Sequence, residues 1–586
     1  KNFDINKIPL DDAKTYELLS KARSLGVFQL ESDGLRDLMR RLKPEKIEEI
    51  IALIALYRPG PMGSGMLDDF VERKHGRKKI KYDHPLQEPI LKETYGVILY
   101  QEQAMRMAMD LADFTAAEAD GLRKAMSKKK PEEMAKQKDK FLSGAHKKSI
   151  EKKIAEKIFD NIEAFAGYGF NKSHSAAYAI VTYRTAYLKA NYPLEYFTAL
   201  LNSEMGKTSG KKEEEDSRLT LYLNDAKKFG ITILKPNIQF SSGRFKIENG
   251  SIRFGILATK TVGERVAETI EQARKEGGQF KDWDDFLQRV DLKSINKLAM
   301  ESLAKAGFFD CFGNDKAKIR AQIIKSIETS IDQAVKIKEE KDSAQGMLFG
   351  LSKDMGRQKT LLDAQALEEN IMLEFEKEVL GFYLSGHPLS AMKKDLARYS
   401  DCRLNDLPKI ETGESFRDAP TIRIAGMLTA LNVAVSKKKE EYAKFKIEDM
   451  DGAVGAVMFP KTFVKYRNIL KPNLVAVVKG KLIGSSEKPE LAVDEIMSLD
   501  EAKKLVKPKK TQLYISVSTT RYDNDLAEAL TEIFKKNKGD NDVFLDITDP
   551  LHGRFIIDTK YSVDCSEDFT REVEEAVGSE DIVNFK

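Results

Sequence analysis

The sequence predicts a multidomain α+β chain: a mainly helical N-terminal stretch, a helix–hairpin–helix module, a small β-barrel of the OB type and a small α+β C-terminal domain. Three observations lead there. Apolar residues recur at helical spacing through most of the first 240 residues. Between 420 and 498 the pattern switches to period-two alternation. The 586-residue length leaves room for about four domains. We place them at 1–235, 236–400, 401–505 and 506–586.

The helical part reads in order. Asp11-Asp12 precedes Tyr16, Leu18, Leu19 and Ala22, a short capped helix. Glu45 to Leu56 carries one buried stripe, Ile47, Ile50, Ile51 and Ile54. It stops at Arg58-Pro59-Gly60-Pro61, because two prolines around a glycine cannot continue a helix. Helices follow at Gln101–Leu111, Ala116–Lys130, Pro131–Ser143, Ser149–Phe165 and from about Ser175, as N-cap, to Asn191.

The second stretch opens with two short strands, Phe245–Ile247 and Ser251–Phe254, around a Glu248-Asn249-Gly250 turn. Helices are expected at Gly263–Lys275, Asp282–Val290 and Asn296–Ala306, then a polar linker over 336–360. Five strands fill about 80 residues, a count that suits a closed OB barrel: Thr421–Leu428, Lys444–Asp449, Gly455–Phe459, Leu474–Leu482 and Leu491–Ile496. After a basic linker at Lys507–Lys510 the chain reads strand, helix, strand, strand, helix.

Composition excludes several classes. No run of about 20 apolar residues occurs, so no membrane-spanning helix is expected. Cys311, Cys402 and Cys565 lie far apart without a CxxC pair, which argues against a disulfide framework or a cysteine zinc site and suits a reducing cytoplasm. Six scattered histidines form no HExxH. The chain begins at Lys1 with no Met and no targeting pattern, as a piece of something longer would.

Net charge is 97 − 93 = +4, but its distribution is uneven. Arg123 to Lys157 holds 13 Lys/Arg against 5 Asp/Glu. Such a stripe neutralises phosphates; a solvated lysine-rich face has the same composition. Within it, Arg123, Lys124, Lys128 and Lys129 cluster at one helix end, a repulsion that an anion would offset. The nine residues from Gly167 to Ser175 combine two glycines, Tyr168 and Phe170 for stacking, and Asn171, Lys172, Ser173 and His174 for hydrogen bonds to phosphate or sugar. An aromatic loop packed on a core would read alike. The stiff loop at Arg58 presents one further cation.

Taken in chain order, these segments resemble the fingers of the bacterial replicative DNA polymerase III alpha-subunit family, the C family. The strings that carry the resemblance are Gly26–Ser32, Arg58-Pro59-Gly60-Pro61, Thr94–Gln103, Arg123–Lys130, Tyr168–Ser175 and Glu376-Lys377-Glu378 with Leu380–Leu389. The resemblance covers most of the chain. It implies template-directed DNA synthesis in the cytoplasm by two-metal chemistry. It also implies that the metal-binding aspartates lie upstream, in a palm this sequence does not contain. Asp11 and Asp12 do not substitute for them. Mg2+ ligands are thus expected outside this chain, which alone should be inactive. The alternative is a non-catalytic scaffold binding DNA and clamp.

The resemblance assigns incoming dNTP to Arg58, Arg123, Lys124, Lys128, Lys129, Tyr168, Phe170, Asn171, Ser173 and His174. It assigns primer–template DNA to the hairpin at Lys260, Val262 and Gly263, and to the barrel loop at Lys437, Lys438 and Lys439, with Phe445 or Phe459 as stacking aromatics. Family members often carry Gly where this chain has Thr261 and Arg265. Gln345, Leu348 and Phe349 resemble the peptide that binds the sliding clamp, an aliphatic–aromatic anchor in a polar stretch. The C-terminal domain is similar in position to the part that docks the clamp-loader tau subunit.

Overall fold

A computed structural model describes residues 3–58, 63, 65–128, 131–166, 169–205, 218–342, 360–410, 417–436, 438–450, 452–485, 488–506, 512–518, 522–549, 553–564, 566–578 and 582–585. The chain forms two compact units, Lys1–Phe382 and Tyr383–Lys586. The α+β multidomain class expected from the sequence is the one observed.

The first unit begins with two helical cores. One gathers Leu19, Leu42, Ile50, Leu53, Phe70, Tyr100, Phe170 and Tyr183. The other gathers Met107, Leu111, Leu122, Phe141, Phe159 and Phe165. The second core is a layered helix packing. Gly121 faces Gln137, Glu118 pairs with Lys140, and Gly144 lies against the Ala112 carbonyl. Helix Pro131–Lys147 therefore runs antiparallel to Ala116–Lys128. The former is a turn longer than expected. Lys129, Lys130 and residues 59–62 lie outside the described residues.

Next comes a three-stranded sheet of β1 (Ile233–Leu234), β2 (Lys246–Glu248) and β3 (Ser251–Arg253), in the order β1-β3-β2. The hairpin was expected; β1, joined in parallel to β3, was not. The helices Glu264–Gly277, Trp283–Arg289 and Lys297–Lys305 follow. A 27-residue helix, Lys316–Asp342, takes up the start of the stretch expected as a linker; residues 343–359, with Gln345, Leu348 and Phe349, lie outside the described residues.

The second unit contains a closed barrel of β4 (Thr421–Val435), β5 (Glu441–Glu448), β6 (Ala453–Met458), β7 (Val475–Ser485) and β8 (Lys488–Ser498), in the order β4-β5-β6-β8-β7. Ile424, Phe445, Ile447, Val478 and Leu491 fill it. β4 runs beyond the expected Leu428, bending at a bulge where Ala430 has φ 50°. A short helix, Pro460–Tyr466, joins β6 to β7. The C-terminal sheet has the order β11-β10-β9-β12, from β9 (Gln512–Ser518), β10 (Lys538–Asp549), β11 (Gly553–Val563) and β12 (Val583–Phe585). The helices Asn524–Lys536 and Glu567–Val577 pack on one face through Leu530, Phe534, Phe569 and Val573. Cys565 and Lys507–Lys510 lie outside the described residues.

Candidate functional site

The site is assembled at the junction of two chain segments. Gln103 accepts the amides of Leu99 (2.8 Å) and Tyr100 (2.9 Å) on its Oε1 and donates to Thr94 Oγ1 (2.8 Å). This buried network fixes the start of helix Gln101–Ala112. Tyr100 then pairs with Phe170 as a parallel bridge, and the Gln101 amide donates to the Phe170 carbonyl at 2.8 Å. Gly169 permits the approach. A Cβ there would lie 2.9 Å from the Phe165 ring and 3.3 Å from Gln101 Cγ.

Helix Lys172–Asn191 starts immediately after. Its N-cap is Asn171, whose Oδ1 accepts the His174 amide at 3.0 Å. Ser175, expected as the cap, is buried inside the first turn and donates to the Lys172 carbonyl (3.1 Å). Both residue types cap helices, and the pairing of Phe170 with Tyr100 selects the earlier one. Lys172 is drawn away from the surface: its ammonium donates to Glu93 at 2.7 and 2.8 Å and its amide to Glu102 at 3.0 and 3.1 Å.

Above this junction the Arg58 guanidinium sits 4.0 Å from the Phe170 ring centroid. Phe170 lies 5.6 Å from the His174 ring, His174 4.5 Å from Tyr178, and Tyr178 5.7 Å from Phe28. Arg58, Asn171, Ser173 and His174 are exposed. Phe170 is buried, with the guanidinium over its ring, so it supports the site from beneath. Tyr178 and Phe28, exposed and continuous with these residues, were missed in the sequence; the four-residue steps from 170 to 174 to 178 are the signal that would have found Tyr178, and no such spacing reaches Phe28. Tyr168 lies outside the described residues.

Arg123 and Lys124 lie on a helix of the other core. Asp120 holds both, at 2.8 Å from Arg123 and 2.8 Å from Lys124. The two lysine and arginine contacts keep its carboxyl below the usual carboxylate range, Lys124 most of all. Of the cluster, Arg123 and Lys124 are thus paired with an acid one turn earlier. The Lys128 side chain and Lys129 lie outside the described residues.

The hairpin at 260–263 differs in detail from the expectation. The element before it is a single 3₁₀ turn, Ile256–Ala258, instead of a full helix. The Lys260 amide donates to Val379 O (2.8 Å) and the Val262 amide to Thr259 O (3.3 Å), so neither is offered to a phosphate. Among the described residues, the amides of Gly263, Glu264 and Arg265 make no hydrogen bond, as at any open helix N-terminus. Gly263 is exposed with nothing within 4 Å of an added Cβ. Thr261 takes φ 68°, in the left-handed region that favours glycine.

On the barrel, Lys438 and Lys439 are exposed in the β4–β5 turn, and Lys437 lies outside the described residues. Phe445 is a correction: strand alternation turns it into the barrel core, 3% exposed, while Phe459 is 46% exposed. Among the described residues no three His, Cys, Asp or Glu side chains converge as a metal-ligand set. Among them, too, no helix is long and apolar enough to cross a membrane.

A helical domain with an aromatic–cationic surface, followed by a helix–hairpin–helix module and an OB barrel, defines a modular protein of nucleic-acid metabolism. Family comparisons agree segment by segment: the bacterial DNA polymerase III alpha subunit finger domain matches residues 1–149, a helix-hairpin-helix motif residues 230–319, and an OB-fold nucleic acid binding domain residues 422–499. Relatives named DNA polymerase III subunit alpha include those of Pasteurella multocida (41% identical over 85% of this chain and 42% of that protein), Vibrio cholerae (36%, 99% and 49%) and Aquifex aeolicus (38%, 98% and 46%). The chain belongs to the DNA polymerase III alpha-subunit family and spans about half the length of the relatives it matches. A solved mitochondrial single-stranded DNA binding protein of S. cerevisiae, Rim1, is 15% identical over 14% of the chain with a TM-score of 0.12, too little to argue from.

Proposed function

We propose that this chain serves template-directed DNA synthesis in chromosomal replication, in the cytoplasm, as the nucleotide-, DNA- and clamp-binding part of a DNA-directed DNA polymerase. The four modules 1–235, 236–400, 401–505 and 506–586 divide that work. The observation that carries the reading is the convergence of Arg58, Phe170, Asn171 and His174 at one exposed junction. Arg58 is held over an aromatic ring, which limits the ways its N–H groups can turn toward a triphosphate. Asn171, Ser173 and His174 supply donors beside it for phosphate or sugar oxygens. Arg123, Lys124, Lys128, Lys129 and Tyr168 complete the nucleotide contacts, with Asp120 exchanged for phosphate when nucleotide binds.

This chain's residues bind and orient the substrate; they do not ionise the primer hydroxyl. Divalent ions, Mg2+ by this reading, polarise the reacting oxygens from ligands outside this chain. Primer–template DNA is held by the Gly263 end of the hairpin, with Lys260 alongside, and by Lys438 and Lys439 with Lys437 on the barrel. Gln345, Leu348 and Phe349 dock the sliding clamp. The C-terminal domain docks the clamp-loader tau subunit; Phe555, Ile556 and Ile557, all exposed on the edge strand β11, are the anchors we assign to it.

Titration of a fluorescent dNTP into the chain with primer–template DNA tests the reading. Arg58→Ala and His174→Ala should each weaken nucleotide binding at least about tenfold, the loss of one charge-assisted contact. Unchanged affinity in both overturns it. The chain alone should extend no primer.

A further inference from the structure

The aromatic column does not end at the predicted motif. From His174 it continues one helical turn to Tyr178 and crosses to Phe28 on another segment, with the last two rings stacked at an interplanar angle of 30°. Phe28 is 39% exposed, Tyr178 37% and Val181 beside them on the helix 44%. Among the described residues Phe28 makes no ring contact except with Tyr178, so it is the terminal ring.

The segment that presents Phe28 is held by four hydrogen bonds with three side chains. The Lys189 ammonium, fully buried, donates to the carbonyls of Arg23 (2.9 Å) and Leu25 (2.6 Å) and to Asp225 (2.7 Å). The Tyr196 hydroxyl donates to the Gly26 carbonyl (2.6 Å). The Phe28 amide donates to Thr185 Oγ1 (3.2 Å). Gly26 at φ 78° and Gln29 at φ 63° bend the chain sharply on either side. Burying an ammonium is costly unless it is fully partnered. Here that cost fixes a turn whose outward product is one exposed phenyl ring.

We infer that Phe28, backed by Tyr178, is a stacking platform for a nucleobase of the unpaired template strand; this rests on the nucleotide-site reading above. The ring is flat, rigidly presented and sequence-tolerant, which is what base stacking needs. Its position selects the occupant. Arg58 lies at the Phe170 end of the column and Phe28 at the other, with His174 and Tyr178 between them. A nucleotide whose phosphates rest on Arg58 has its single base near that end. A second base at Phe28 belongs to a different nucleotide, on a strand that passes the site.

The test uses the chain with primer–template DNA carrying 2-aminopurine at successive unpaired template positions. Anisotropy of an end label reports binding; 2-aminopurine emission reports stacking. At one or two positions emission should fall on binding in the wild type and in Phe28→Trp. It should stay high in Phe28→Ala and Phe28→Leu, the latter preserving apolar packing, with affinity lowered about tenfold for the lost stack. DNA that binds with equal quenching in all four proteins, or with none at any position, overturns this inference alone. Absence of any anisotropy change overturns it together with the reading it rests on.

Discussion

The guanidinium of Arg58 lies 4.0 Å from the centroid of the Phe170 ring, joining an exposed cation to a buried aromatic that is itself hydrogen-bonded to the start of another helix. The cation therefore inherits the rigidity of the core beneath it. A surface cation–π contact contributes about 0.5–1 kcal/mol, so Arg58→Ala should barely move the melting temperature while nucleotide affinity falls. Arg58→Lys should keep the charge but lose the planar fork, and recover only part of that affinity. Calorimetric melting and nucleotide titration on the same samples separate the two effects.

Gly169→Ala should destabilise by about 1–3 kcal/mol, the usual cost of overpacking. The added methyl meets the Phe165 ring at 2.9 Å, and the backbone angle itself is not the obstacle. Where the Phe165 ring does not yield, the backbone must, and Phe170 then shifts from Tyr100, so nucleotide binding should fall with stability. Denaturant unfolding with an unchanged midpoint would show that Phe165 yields freely.

Thr261 pairs its hydroxyl with Ser302 Oγ at 2.8 Å while standing at φ 68°. Left-handed backbone costs a β-branched residue about 1–2 kcal/mol; the hydrogen bond returns about 0.5–1.5 kcal/mol. Thr261→Gly loses both and should be near neutral. Thr261→Val keeps the strain and leaves Ser302 without that partner, so it should be the less stable variant by about 1–2 kcal/mol. Equal midpoints in denaturant would mean the backbone relaxes around valine.

Local pattern explains what was readable here. Helices and barrel strands follow from apolar spacing, because each must bury one face. β1 and β12 were not readable: two or three residues carry no period, and their partners lie far along the chain or pair by topology alone. The interior position of Phe445 was readable: between Lys444 and Glu448 charged residues alternate with Phe445 and Ile447, which puts both apolar side chains on one face of β5. Asp120 stood in plain view, three and four residues before Arg123 and Lys124, and its neutralising role needed only helical geometry. The placing of Phe28 against Tyr178, across 150 residues, had no local signal at all.

Glu118 supplies a pH test of the second core. Its carboxyl accepts from the Lys140 ammonium, the largest cause, and from the Thr115 amide, and is held down to about 2 against an ordinary 4.5. Because the folded value is the lower one, the stabilisation is complete above pH 4.5 and is lost as pH falls toward 2. Lys140→Ala removes the main cause. Its melting temperature should therefore fall less steeply than that of the wild type over that interval; parallel curves would assign the acid sensitivity elsewhere.

Lys189 joins stability to the site most directly. Burial pushes its ammonium below the ordinary lysine value, while Asp225 works against that shift. Asp225→Asn removes the only carboxylate paired with it among the described residues and leaves a buried charge, at a cost of about 3–5 kcal/mol. Because the folded value is the lower one, the loss should shrink as pH rises and the lysine sheds its proton. Lys189→Met, made together with Asp225→Asn so that no carboxylate is left buried without its partner, puts an apolar side chain among the Phe197 and Phe229 rings and should cost less than Asp225→Asn alone. It also frees the carbonyls of Arg23 and Leu25, so the Phe28 turn loosens even where the fold survives. Hydrogen exchange at Val27 and Phe28 distinguishes the effects: both variants should speed it, and the double variant should do so with the smaller change in global stability. Unaltered exchange in the double variant would mean that Tyr196 and Thr185 hold the turn without the lysine.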